Sequence, residues 1–264
     1  MKRLIVFTAV AATVVLGAGQ SFAQELTVDQ IVEKANLVAY YPAKDGTSDV
    51  RMTITDSQGR TRLREFKILR FTITPGGEQK YYVYFHKPAD VAHMVYLVWK
   101  HPDRDDDRWL YLPAMDLVKR VAAGDKRSSF AGSHFVYEDV SGRSLTADIH
   151  ELVESGEGRY KIKSIPRDAK GSEFAYYFVW IDAGTFMPLK AEYYDKTGTL
   201  IRAVETMEVQ EIGGYPTAVK TKAKDLIRNG ETVMEFSNIA YDAGLSDDVF
   251  TERYLRMPPA QWVK

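Results

Sequence analysis

Residues 189–239, LKAEYYDKTGTLIRAVETMEVQEIGGYPTAVKTKAKDLIRNGETVMEFSNI, decide the architecture. Four runs in this stretch, 189–194, 200–209, 217–227 and 232–239, read as strands. Two of the breaks between them carry turn chemistry, Asp195-Lys196-Thr197-Gly198 and Asn229-Gly230. Glycine takes positive φ without a Cβ clash, so these peptides reverse the chain tightly. Strands joined that closely pair antiparallel, because a parallel pair needs a crossover of about a dozen residues or more.

The same pattern extends towards the N-terminus. Val50, Met52 and Ile54 alternate with Arg51, Thr53 and Thr55, the signature of a half-buried strand. Asp56-Ser57-Gln58-Gly59 turns the chain into a strand at 63–72, and Pro75-Gly76-Gly77 precedes another at 80–85. Pro88-Ala89-Asp90 introduces 91–99, and further strands are expected at 108–112, 160–165 and 174–181. One helix opens the series. Thr27 with Gln30 forms a capping box, and Val28, Ile31, Val32, Ala35 and Val38 make an apolar stripe that ends before Pro42 and Gly46. Ser246 to Thr251 reads as a capped helical turn. So many consecutive strands with almost no helix between them predict a mainly β protein, an antiparallel meander forming one domain over 24–264.

Two strands depart from simple alternation. Val91, Val95, Leu97 and Trp99 fall on one face of their strand, and Ala92, Met94, Tyr96 and Val98 on the other, so both faces are apolar. Residues 176–181 are apolar on both sides as well. A sheet with one wet face alternates, so these strands must be covered twice. Either helices and loops pack over one side, or the sheet curves around an apolar hollow.

The N-terminus reads as an export signal. Lys2 and Arg3 precede an apolar run over 4–16, and Ser21-Phe22-Ala23 supplies small residues for cleavage after Ala23. That apolar run is short for a bilayer span of about 20 residues, and no cysteine follows it to carry a lipid. Loss of Lys2 and Arg3 leaves 33 basic against 36 acidic residues. Such a balance gives no basic face for nucleic acid. A soluble periplasmic protein is expected.

Motifs for chemistry are sparse. Asp103-Arg104-Asp105-Asp106-Asp107 begins like a calcium loop, but Arg108 stands where glycine is needed and Ala114 where a bidentate Glu is needed. It reads as a solvated acidic turn. His86, His93, His101, His134 and His150 show no ligand spacing, and no metal or other cofactor is expected. Ser133 and His134 are adjacent, and neighbours on an extended strand point apart, which suits a Ser–His relay poorly. Glu138 and Asp139 read as acceptors that fix a polar insert by pairing with Lys126 and Arg127. Neither a nucleophile elbow nor a phosphate loop is present. The chain is not expected to be an enzyme.

One constellation carries a resemblance. Trp109-Leu110-Tyr111-Leu112-Pro113, Val118-Lys119-Arg120-Val121, Asp125-Lys126-Arg127-Ser128-Ser129-Phe130-Ala131-Gly132-Ser133 and Phe135-Val136-Tyr137-Glu138-Asp139 together resemble the LolA-like outer-membrane lipoprotein-sorting proteins. The branch is the one associated with RND/MMPL-type exporters; His134 stands where that branch has Asp, and Ala131 where it commonly has Met. The resemblance implies a strongly curved, half-open antiparallel barrel lidded by helices. It also implies an apolar cavity that carries lipoprotein acyl chains or free lipid across the periplasm towards the outer membrane. The partners so implied are an inner-membrane RND/MMPL-type exporter or lipoprotein-releasing complex and an outer-membrane acceptor. On this reading Met52, Ile54, Tyr84, Met94, Tyr96, Trp99, Leu110, Tyr111, Met115 and Phe130 line the cavity, and Ser133, His134, Tyr137 and Glu138 belong to the lid. Pliable methionines and broad aromatic walls suit a cargo that must be released again. Two other readings compete with the carrier: an adaptor docked on such an exporter, and a hydrolase acting through Ser133, His134, Glu138 or Asp139.

Overall fold

The computed structural model describes residues 26–169 and 171–263; the export signal read at 1–23 lies outside them. Helix α1 (Val28–Tyr40) starts on the expected capping box, in which the Thr27 hydroxyl accepts from the Gln30 amide (3.3 Å) and the Gln30 side chain accepts from the Thr27 amide (2.9 Å). Its buried face is Ile31, Val32 and Ala35.

Thirteen strands follow: β1 (Asp45–Thr55), β2 (Thr61–Thr72), β3 (Gln79–Lys87), β4 (Val95–Lys100), β5 (Asp107–Leu112), β6 (Leu117–Arg120), β7 (Asp148–Gly156), β8 (Arg159–Pro166), β9 (Tyr176–Asp182), β10 (Pro188–Tyr194), β11 (Leu200–Ile212), β12 (Tyr215–Asp225) and β13 (Gly230–Tyr241). All belong to one antiparallel sheet in the order 6-5-4-3-2-1-13-12-11-10-9-8-7. The chain therefore starts at the middle, meanders out to β6, crosses to the far edge and meanders back until β13 pairs with β1. β6 and β7 remain free edges, and the sheet does not close into a barrel. The expected strands form with small shifts. β4 starts at Val95, because residues 91–94 make a turn closed by Ala92 N–H to Pro88 O (2.9 Å). β6 and β7 are additions to the sequence reading.

Segment 121–147, which links the two edges, holds the short helix α2 (Tyr137–Ser141) and lies across one face of the sheet. Its Phe130 and Phe135 pack on Phe66, Phe85, Tyr96 and Val98, with ring centroids 4.9–5.9 Å apart among Phe66, Phe85, Phe130 and Tyr96. The other face of β2–β5 is covered by residues 245–263, which include helices α3 (Arg253–Arg256) and α4 (Ala260–Val263). There the Trp99 indole donates to Phe250 O (2.7 Å) and the Tyr82 hydroxyl to Tyr254 O (2.7 Å). Both apolar faces of β4 thus find a cover.

α1 covers β8 and β9 on the same side as the crossing segment, through Ile31, Val32 and Ala35 on Ile162 and Ile181. The pairing of β12 with β13 stops short: it runs only from Lys220 opposite Glu235 to Asp225 opposite Gly230. Beyond Lys220, β12 stays with β11 and β13 stays with β1. The resulting gap, about 390 Å³, has Val219, Phe236 and Ile239 on its walls and is bridged by the Thr217 and Tyr241 hydroxyls (2.9 Å).

Candidate functional site

The principal cavity, about 430 Å³, lies between α1, the crossing segment and the inner face of the sheet. Tyr81 of β3 and Ser164 of β8 both reach its wall, although eight strand positions separate them in the sheet. Laid flat, those strands would stand about 38 Å apart at ~4.8 Å per strand, so the sheet must curl around this space. Val32 and Ala35 close it from α1, Phe130, Phe135 and Val140 from the crossing segment, and Phe66, Ile68, Val204, Met234 and Phe236 from the strands.

The hollow lies elsewhere than the sequence reading placed it. Of the ten residues expected to line it, Phe130 does so. Met52, Ile54, Met94 and Tyr96 are buried in the packed core beneath the crossing segment, and Leu110 packs at the margin of that core. Tyr84, Trp99 and Tyr111 belong to the opposite face, against the C-terminal segment. Met115 sits on the β5–β6 connection and is 64 % exposed. The physical reason is steric: Phe130, Phe135 and Tyr137 fill the space over β3 and β4, and the unfilled volume lies towards α1 and β8–β13. The α1 stripe and the doubly apolar 176–181 run were the available signals, since Val32, Ala35, Tyr177, Val179 and Ile181 all reach the wall.

The insert residues are engaged in fixing the crossing segment. Ser133 Oγ accepts from the Phe135 amide (3.1 Å), while His134 turns to β13, with its amide (3.0 Å) and Nδ1 (2.8 Å) on the Thr232 hydroxyl. Serine and imidazole thus serve different partners. Gly230 makes room for this contact, because a Cβ there would stand 2.3 Å from His134 Nε2. Burial lowers the His134 pKa. Tyr137 packs on Tyr96 with its ring centroid 5.0 Å away. A Ser–His contact does occur at the cavity wall, between Ser164 and His150 (Oγ to Nδ1, 2.8 Å), but the other ring nitrogen faces Leu145 O (3.1 Å), a carbonyl and not a carboxylate.

Where the crossing segment meets β9 and β10, a charged cluster backs one corner of the cavity, with Asp139 and Arg143 on its wall. Glu138 accepts from Arg127 and Arg143 (3.2 Å each), Arg143 also pairs with Asp148 (2.7 Å), and Arg127 with Glu173. The Tyr177 hydroxyl donates to Asp148 (2.7 Å), and Arg202 pairs with Asp139. A buried ion pair is tolerated only when its remaining donors and acceptors are met, and this cluster meets most of them. Lys100, beneath the insert, donates to Ser141 O (2.6 Å) and Gly142 O (3.0 Å), and burial lowers its pKa to about 8. The acidic turn is internally paired: Asp106 with Arg108 (2.6 Å), and Asp107 with Arg104 (2.8 Å) and Arg120. Among the described residues no cluster of three His, Cys, Asp or Glu is arranged to hold a metal ion, and no helix is long and apolar enough to cross a membrane.

This architecture has counterparts of known structure. A DUF1329 family protein from Desulfovibrio piger is 28 % identical, with a TM-score of 0.78 over 86 % of this chain and 97 % of the other. A domain assigned to outer membrane lipoprotein sorting, from Vibrio parahaemolyticus, is 26 % identical, with a TM-score of 0.75 over 85 % and 95 %. A LolA superfamily protein from Nitrosomonas europaea, 19 % identical, shares the fold with a TM-score of 0.68 over 87 % and 100 %. No curated protein sequence matches the chain. A family model described as "uncharacterized protein"-like matches residues 77–257, more than two thirds of the sequence. The chain belongs to that family, and it shares its fold with the DUF1329 family protein and with the LolA superfamily protein.

Proposed function

We propose that this protein is a periplasmic carrier that shelters a hydrocarbon chain in the cavity beneath α1 and delivers it towards the outer membrane. The observation that carries this reading is the hollow itself: about 430 Å³ of space, walled mainly by aliphatic and aromatic side chains, beside strands β2–β5 that are packed on both faces. Taking ~30 Å³ for a methylene, the share of one water molecule in the liquid, this space holds roughly fourteen such groups, one acyl chain. Exposing such a chain to water costs about 0.8 kcal/mol per methylene, or ~11 kcal/mol in all. Replacing most of that lost contact is enough to make transfer between membranes feasible without a chemical step. An inner-membrane exporter of the RND/MMPL type, or a lipoprotein-releasing complex, supplies the cargo, and an outer-membrane acceptor receives it. The names of the similar proteins, lipoprotein sorting and LolA superfamily, support this assignment.

The test is mass spectrometry of organic extracts from purified protein, with uptake of a fluorescent fatty acid as the second readout. Co-purified acyl lipid and saturable uptake are expected. Val140→Trp, which fills the hollow from the crossing segment, should cut uptake more than tenfold with little change in stability. Clean extracts, or undiminished uptake by that variant, would sink the carrier.

A second reading, an adaptor docked on the exporter, draws on the outer face of β8–β10. Tyr176, Phe178 and Trp180 are only half buried there, and the Lys161, Lys163 and Lys190 ammonium groups stand 4.8–5.3 Å from their ring centroids.

A further inference from the structure

Two phenols on the cavity wall lack a partner. Tyr40 ends α1 and Tyr193 lies on β10, and both reach the cavity beside Asp139. Elsewhere in the core the tyrosine hydroxyls are used: Tyr81 bonds Gln79, Tyr82 bonds Tyr254 O, Tyr84 bonds His93 and Tyr177 bonds Asp148. Among the described residues, neither the Tyr40 nor the Tyr193 hydroxyl makes a hydrogen bond. Neither oxygen is sealed in the core: Tyr40 is half-buried, and both hydroxyls open on the cavity, where a ligand atom can reach them. A third donor stands next to them: the buried Arg202 guanidinium lies 5.0 Å over the Tyr193 ring, and its Nη1 is also without a partner.

Both hydroxyls are protonated donors. Burial raises the pKa of each; the Asp139 carboxylate adds to this at Tyr40, while at Tyr193 Arg202 and Arg127 oppose it. What is missing is an acceptor, and its charge can be argued from the surroundings. Arg127, Arg143 and Arg202 are already paired with Glu138, Glu173, Asp148 and Asp139, so the corner has no surplus of positive charge to hold an anion. A carboxylate or phosphate brought here would lose its hydration and face Asp139 directly.

We propose that Tyr40 and Tyr193 form a seat for an uncharged carbonyl oxygen, the ester or amide oxygen that joins an acyl chain to its headgroup. The chain itself would run from this seat over Val140 towards Ile68 and Phe130. This rests on the carrier reading and narrows it, from any hydrophobe to a single-chain acyl ester or amide. Lipoprotein acyl groups and free lipid esters share this chemistry.

The experiment titrates the protein with methyl tetradecanoate, tetradecanoic acid and pentadecane by displacement of bound diphenylhexatriene. Wild type, Tyr40→Phe and Tyr193→Phe are compared, with circular dichroism and Tm confirming that each variant is folded. Wild type should prefer the ester over the hydrocarbon, and each Phe variant should lose about three- to tenfold in ester affinity with pentadecane affinity unchanged. The seat is refuted if the ester binds no better than pentadecane, or if both Phe variants bind it like wild type, and in those cases the carrier survives. Tetradecanoic acid binding best, with Phe-sensitive affinity, would make the corner an anion site and overturn the uncharged assignment. If wild type takes up none of the probes, the carrier reading fails and the seat fails with it. Alkaline hydrolysis of the extracted native cargo, which frees ester-linked but not amide-linked acyl groups, identifies which linkage fills it.

Discussion

The two halves of this sheet solve the same covering problem differently. β2–β5 are packed on both faces, by the crossing segment inside and the C-terminal segment outside. β8–β10 have α1 standing over an unfilled space inside and a half-exposed ladder of rings and lysines outside. One half is solid and the other hollow. Stability and capacity are thus weighted to different ends of one continuous sheet, with Phe66 and Ile68 of β2 and Tyr81 of β3 at the border between them, and a mutation should report where it sits.

The largest expected effect is in the solid half. Phe85 is fully buried against Phe66 and Phe130, so Phe85→Ala removes a ring from a site that cannot collapse. Denaturant unfolding should show a loss of about 3–5 kcal/mol. A loss below about 1 kcal/mol would mean that this half is also loosely packed.

A smaller effect is expected from pH. Lys100 has its pKa lowered by burial from 10.5 to about 8, so between those values the unfolded chain binds the extra proton and stability rises with pH. Burial raises Tyr41 from 10.0 to about 12, so above pH 10 the folded chain holds the extra proton and stability falls. Unfolding free energy should therefore climb from pH 8 to about pH 10 and then decline. Lys100→Met should flatten the climb, and an unchanged profile in that variant would remove Lys100 as its source.

The smallest effect belongs to the hollow half's outer face. Trp180 is half exposed between Lys161 and Lys190, and Trp180→Ala should move stability by roughly 0.5 kcal/mol or less. A loss comparable to Phe85→Ala would erase the contrast between the halves.

The fold was largely legible because its cues are local. A capping box at Thr27 and turns at Gly198 and Asn229-Gly230 are read within four residues of sequence, and each appears in the structure, although at the second Asn229, and not the glycine, takes the positive φ. β7 was not legible: DIHELVESG is an edge strand with Ile149, Leu152 and Val153 exposed, so no buried face imposes alternation on it. β6, LVKR, is too short to show a period. The cavity wall was the hardest part. Alternation showed that β4 has two apolar faces but could not say which faces inward, so Tyr96 and Trp99 were grouped although they point to opposite sides. Which volume stays empty depends on how 121–147 lays Phe130, Phe135 and Tyr137 over β3 and β4, a long-range packing outcome with no local signature. The Tyr40 and Tyr193 hydroxyls were invisible for the same reason: a missing partner is a property of assembled surroundings.

The unzipped margin between β12 and β13 gives this arrangement a mechanical consequence. A shared spine of six residue pairs, from Lys220 opposite Glu235 to Asp225 opposite Gly230, joins two leaves, one holding β13 and β1–β6, the other β7–β12. Past that spine the Thr217 hydroxyl and the Tyr215 ring both meet Tyr241, and the crossing segment spans the two leaves through His134 on Thr232 and Asp139 on Arg202. No strand ladder crosses that margin, and because Ile68 and Tyr193 sit on facing pages, the reservoir's volume depends on the angle at which side-chain contacts hold the leaves.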